Sequence, residues 1–184
     1  MTEVPRDLVA KIGLADVMEV LRPYGACIAS TFPLGLAVPG SDVDILCEAQ
    51  DPAAFRAHMQ RAFGRESGFS LHRKDDATPP AIVCRFSLNG LPVEIFGQPL
   101  PVREQRGYRH LVAEQRLLAA GGERDREAIR ALRAAGLKTE PAFAQCFGLG
   151  GDPYEVLLAV RDWSDAQIAD VAAGWRRRAS AGDI

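Results

Sequence analysis

Two carboxylates, Asp42 and Asp44, lie one residue apart in VPGSDVDI, where a loop broken by Gly and Pro gives way to the apolar run Ile45, Leu46 and Cys47. Side chains at i and i+2 of a strand share a face, so the two acids would stand side by side. Ionised carboxylates that close repel unless a cation sits between them; burial or the repulsion itself can instead raise one pKa. A loop–strand junction is usually solvated, and a hard divalent ion favours oxygen donors there. The metal reading is the sharper one. A third acid, Glu94, interrupts the apolar segment LPVEIFGQ, with Val93 and Ile95 on one face and Glu94 on the other. A carboxylate inside such a strand needs a solvated face or a partner. If this strand lies beside the one that begins at Asp42, the three acids form an open half-shell for one or two Mg²⁺ (or Mn²⁺) ions. The remaining positions suit water and nucleotide phosphate oxygens, and such ions clamp the attacking and leaving oxygens of a phosphoryl transfer.

The elements that must position these acids can be read from periodicity. Apolar residues near helical spacing over 6–22 (Leu8, Ile12, Val17, Leu21) predict a helix ended by Pro23 and Gly25. Residues 27–32 read as a short strand, 34–41 as a loop and 43–47 as a second strand. Asp51-Pro52 opens a helix to Phe63 as an N-cap followed by proline. Strands are expected over 69–74, 81–88 and 91–96, the last two joined by Asn89-Gly90, the dipeptide that a two-residue hairpin prefers. Beyond Pro101 the pattern is helical: 106–119 and 123–135, divided by Gly121-Gly122, then 141–147, 153–160 and a last helix capped by Ser164. A hairpin beside a crossover helix predicts a mixed sheet. The fold class is therefore α/β (α+β): a mixed-sheet core over residues 1–100 flanked by helices, and a helical part over 101–184. Neither G-x-G-x-x-G after a strand nor G-x-x-x-x-G-K-[ST] occurs, which argues against a dinucleotide-binding or P-loop domain.

Composition narrows the class only modestly. The 184 residues carry 22 basic and 24 acidic side chains, a formal charge of −2, so no bulk field recruits nucleic acid or anionic membrane. The N-terminus lacks the basic and apolar regions of a signal peptide, and no run of 18 apolar residues occurs; the expectation is a cytoplasmic protein. Cys27, Cys47, Cys84 and Cys146 are too dispersed for a zinc or redox pair and read as reduced core residues.

The stretch from Ser30 to Asp44, STFPLGLAVPGSDVD, resembles the signature of the nucleotidyltransferase superfamily: a small-residue pair after the first strand, a loop, Asp-x-Asp on the second strand and a third acid on a later one. Ser30-Thr31 takes the place of the pair, Asp42-Val43-Asp44 the acidic motif and Glu94 the third acid. Further along, VPGSDVDI, VEIFGQ, YRH with Glu114, and GLKTEPAFA followed by GDPYEVLL resemble a small bacterial family of unknown function within that superfamily. The resemblance implies a nucleotidyltransferase fold and Mg²⁺-dependent transfer of a nucleoside monophosphate from an NTP to an acceptor hydroxyl. It implies metal and catalytic roles for Asp42, Asp44 and Glu94, and nucleotide contacts from Ser30, Thr31, Gly40, Ser41 and Lys138. Substrate contacts are expected from Arg109, His110 and Gln98. One departure matters: Ser30 has a Cβ where the superfamily pattern has glycine, which works against close approach of backbone amides to a triphosphate.

Blander roles compete at several positions. His110 with Glu114 one turn on fits an exposed i, i+4 pair, or a helix face carrying Tyr108, Arg109 and His110 toward the acids. Lys138 and Glu140 fit a helix-linking loop, and Lys138 also suits a phosphate contact. Haloacid-dehalogenase enzymes share Asp-x-Asp, but at the C-terminal end of an apolar strand, whereas here the apolar run follows the acids. Metal-dependent glycosyltransferases share it too, on a larger nucleotide-binding sheet than this chain can supply. Three rivals to the transferase remain: a degenerate member that binds without turnover, a metal-dependent phosphoesterase and a non-catalytic interaction protein.

Overall fold

The computed structural model describes residues 13–181. The chain forms two compact units, one running to Pro33 and from Gly40 to Tyr108, the other comprising Leu34–Pro39 and the helices from Arg109 onward.

The first unit is built on a five-stranded sheet of order β1-β2-β5-β4-β3, with β1 (Cys27–Ile28), β2 (Val43–Glu48), β3 (Ser67–Lys74), β4 (Ala81–Leu88) and β5 (Leu91–Gln98). The pair β2–β5 is parallel and the other three are antiparallel, so the sheet is mixed as expected. Asn89 (φ 52°) and Gly90 (φ 83°) form the tight turn between Leu88 and Leu91, both in the left-handed region that this hairpin needs. One face of the sheet is sealed by α1 (Ala15–Leu21) and α2 (Pro52–Phe63). Phe55, Met59 and Phe63, spaced four apart, bury one stripe of α2 against Ile82, Cys84 and Phe86 of β4 and Val93 and Ile95 of β5. Phe63 stacks on Phe86 with ring centroids 4.7 Å apart. Asp51 caps α2 by accepting from the N–H groups of Ala53 and Ala54.

Two elements differ from expectation. The helix read over 6–22 lies partly outside the described residues; within them it starts at Ala15, because Gly13 adopts φ +73°, a conformation that no α-helix continues through. The strand read over 27–32 stops at Ile28. Ser30 turns the chain instead, its hydroxyl accepting from the Phe32 N–H at 3.4 Å, a local side-chain bond that competes with a strand ladder.

The second unit contains most of α3 (Arg106–Gly121), then α4 (Glu123–Ala134), α5 (Thr139–Phe147), α6 (Pro153–Val160) and α7 (Asp165–Ala181). Helix α5 packs against α4, α6 and α7, burying Ala142, Phe143, Cys146 and Phe147. Gly148 (φ 67°) ends α5 with the Leu149 N–H bonded back to the Ala144 carbonyl, a left-handed stop that glycine permits. Ser164 and Gln167 form the reciprocal cap of α7. Arg116 of α3 donates to the carbonyls of Val160, Arg161 and Trp163 and to Asp165, satisfying the orphan carbonyls at the end of α6. Arg126 and Arg133 of α4, seven residues apart on one face, donate to the carbonyls of Leu34 and Leu36. They hold the loop between Ser30-Thr31 and the acidic motif, with both leucines buried. Among the described residues no helix is long and apolar enough to cross a membrane. All four cysteines are free, and Cys47, Cys84 and Cys146 are buried; burial pushes each of these three thiols up to about 12.

Candidate active site

Alternation decides which side chains leave the core. Val43, Ile45 and Cys47 of β2 and Val93 and Ile95 of β5 face α1 and α2. Asp44 and Glu94 therefore project from the opposite face. The two strands are parallel and in register, with Val43 opposite Val93 and Asp44 directly opposite Glu94. Neighbouring strands lie about 4.8 Å apart, so the two half-buried acids are adjacent. Further along this face, the methyl groups of Leu46 lie 3.3 Å from where Gly107 would carry a Cβ, and Gln105 donates to the carbonyls of Cys47 and Leu100.

A cation closes the row. Arg85 of β4 lies directly opposite Glu94, and its Nε and Nη2 both stand 2.5 Å from Glu94 Oε2. The same guanidinium meets His72 Nε2 through Nη1 at 3.3 Å. The outer face thus runs Asp44, Glu94, Arg85 across three strands, with His72 of β3 bound diagonally. Arg85 escaped the sequence reading, although the hairpin contained the signal: three residues back from Leu88 and three on from Leu91 are Arg85 and Glu94.

The remaining expected site residues divide. Asp42 is exposed, one residue before β2 begins. Among the described residues, no three His, Cys, Asp or Glu side chains gather closely enough to hold a metal ion; the expected shell of three acids is not assembled, because Glu94 turns to Arg85. The donor chemistry of Asp44 and Glu94 still fits a hard cation, since Mg²⁺ is commonly held by one or two carboxylates and completed by water and substrate phosphates. Ser30 is 3% exposed, and its hydroxyl serves the turn to Phe32 where a phosphate contact was expected. Thr31 is half-buried, Gly40 is exposed with φ +85°, and Ser41 is buried just ahead of Asp42. Gln98, four residues beyond Glu94, is buried with its amide donating to the Pro79 carbonyl, so it serves the sheet end and not the row of acids.

The three expected residues of the helical unit have partners or positions of their own there. His110 is 7% exposed and does not form the expected surface pair with Glu114; its Nδ1 lies 3.2 Å from Glu140 Oε1 and its Nε2 2.9 Å from the Tyr154 carbonyl. Both ring nitrogens face acceptors, an arrangement that both can satisfy as donors only in the imidazolium form. Burial works to raise the Glu140 carboxyl, but His110, a backbone N–H and nearby Lys138 together hold it below the usual carboxylate range. The His110–Glu140 pair thus ties α3 to α5, and the bond to Tyr154 ties α3 to α6. Arg109 is half-buried, with Nη2 4.0 Å from Asp162 Oδ2. Lys138 is exposed at the start of α5.

Comparison with known proteins adds little about chemistry. No curated protein matches the chain by sequence. Among solved structures, one reported as "Structure and function of the polymerase core of TRAMP, a RNA surveillance complex" is similar at 10% identity with a TM-score of 0.37, over 84% of this chain and 54% of that one. The chain spans about half the length of that polymerase-core chain. A family model matches residues 10–160, and the chain belongs to that family, described as "Domain of unknown function (DUF4269)".

Proposed function

We propose that the protein is a Mg²⁺- or Mn²⁺-dependent nucleotidyltransferase that moves a nucleoside monophosphate from an NTP to an acceptor hydroxyl. The observation that carries the reading is the parallel register of Asp44 and Glu94, which joins the Asp-x-Asp motif to the third acid on one sheet face. In this reading the acceptor oxygen bonds to the α-phosphorus, the bond to the β-phosphate bridge breaks, and pyrophosphate leaves. A bound divalent ion would supply charge neutralisation at the phosphoryl oxygens. Asp44 and Glu94 would hold it from the sheet, with Asp42 swinging in from the loop, and Glu94 would help take the acceptor's proton. Thr31 and the Gly40-Ser41 backbone would meet phosphate oxygens.

The test is thermal unfolding with each of the four triphosphates, with and without Mg²⁺. A ligand that binds only the folded chain raises its stability by mass action. At least one triphosphate should raise the melting temperature only when Mg²⁺ is present, and Asp44→Asn should remove the shift. Flat curves throughout would defeat the proposal.

The Arg85–Glu94 ion pair and the turn-bonded Ser30 favour a second reading, a degenerate member that binds a nucleotide without turnover. Mg²⁺-dependent stabilisation by a triphosphate, with no pyrophosphate released under any acceptor, would select it.

A further inference from the structure

Arg85 poses a question that the transferase reading leaves open. Two of its nitrogens grip one oxygen of Glu94, the side chain that an ion would need. Ion pairs of this exposure, with the Arg85 side chain 49% and Glu94 22% accessible, are weak. A divalent ion can displace such a pair at a cost of no more than about five-fold in affinity. His72, the guanidinium's other partner, is a neutral acceptor when it accepts at Nε2 and does not neutralise the charge that is set free. The freed guanidinium then stands one strand from the ion, and its planar fork of donors matches phosphate oxygens.

We propose that Arg85 is a phosphate-binding residue that couples metal entry to triphosphate binding: it neutralises Glu94 in the empty site and passes to the triphosphate when the ion takes Glu94. The proposal rests on the metal-dependent reading above. Its consequence is a pair of opposed effects. Removing Arg85 helps the bare metal, which no longer competes for Glu94, and harms the phosphate ligand, which loses its cation.

The experiment titrates free Mn²⁺ by electron paramagnetic resonance, with Mn²⁺ alone and with Mn²⁺ plus inorganic tripolyphosphate, a probe without base or sugar. Wild type, Arg85→Met, Arg85→Lys and Asp44→Asn are compared. Arg85→Met should bind Mn²⁺ alone about three- to five-fold more tightly than wild type, and tripolyphosphate in Mn²⁺ about ten-fold more weakly. Should Arg85→Met fail to fold, Arg85→Lys answers in its place: it keeps the charge but loses the two-nitrogen grip, so Mn²⁺ affinity should rise while most tripolyphosphate affinity is retained. If Mn²⁺ binding is lost in Asp44→Asn but both affinities are unchanged at Arg85, the coupling is overturned and the metal site stands. If neither wild type nor the Arg85 variants bind Mn²⁺, the transferase reading falls and takes the coupling with it.

Discussion

Asp44 and Glu94 are direct partners across the parallel pair β2–β5, two like charges on neighbouring strands of the same face. Directly opposed like charges destabilise a sheet by about 0.2–1 kcal/mol, and Arg85, opposite Glu94 on the other side, offsets that cost. The row therefore runs acid, acid, base across β2, β5 and β4.

The first prediction concerns that pair. Asp44→Asn should abolish transfer, because a neutral amide weakens the hold on a divalent ion and leaves phosphate charge uncompensated. Turnover assays alongside calorimetry of metal binding check both steps. Undiminished turnover would show that these acids do not drive the chemistry.

Ser30 gives the second. Its hydroxyl bonds the Phe32 N–H at 3.4 Å, near the long limit for such a bond. Ser30→Ala should therefore cost less than about 1 kcal/mol in denaturant unfolding. Metal-dependent triphosphate affinity should change less than about three-fold, the scale of a fraction of a kcal/mol. A loss of ten-fold or more, measured calorimetrically, would mean that the hydroxyl meets phosphate after all.

The sheet was far more legible than the site. Strong local signals fixed β4 residue for residue, the Asn89-Gly90 turn and the Asp51-Pro52 helix start, because each depends on neighbours a few positions away. A hairpin beside a crossover helix pointed to the mixed sheet, whereas the β2–β5 adjacency was a condition of the reading that the register meets. The partners of the polar side chains did not follow in the same way. His110 meets Glu140 thirty residues later, a contact set by how α3 and α5 pack, which i, i+4 spacing cannot reveal. Ser30 is buried and bonds its own turn, a local role that a small polar residue after a strand takes as readily as a phosphate contact and that sequence alone does not separate. Arg85 was within reach of hairpin arithmetic, but a lone cation on an exposed strand face carries no motif.

The third prediction follows from His110 and Glu140. The Glu140 carboxyl titrates below its ordinary value in the folded chain, so its stabilising contribution is present above the unfolded-state pKa and fades as pH falls through the folded one. Wild type should lose stability as pH drops below about 5, and Glu140→Gln should remove part of that loss, so the two denaturation curves converge in acid. His110→Ala removes a bond to a charged group and one to the Tyr154 carbonyl, at a cost on the order of 3 kcal/mol near neutral pH. Equal stability differences between wild type and Glu140→Gln at every pH would contradict the pairing.

Gly97 supplies the last. A Cβ at this β5 position would lie 2.3 Å from Phe55 Cε1 and 2.7 Å from Cζ, well inside contact distance. The ring cannot easily retreat: Phe55 is fully buried and meets Tyr24 edge-on with centroids 4.8 Å apart. Gly97→Ala should therefore destabilise the sheet unit by about 1–3 kcal/mol through overpacking, without any left-handed backbone requirement, since Gly97 is absent from the positive-φ glycines. Phe55→Leu alone should also destabilise, because it opens space beneath the sheet. Combined, the two changes offset each other in volume, so the double variant should be more stable than the sum of the single losses predicts. A double-mutant cycle in urea measures that coupling. Strict additivity would mean that the sheet shifts to admit the methyl group, and that glycine at this position is not required by the close approach of α2.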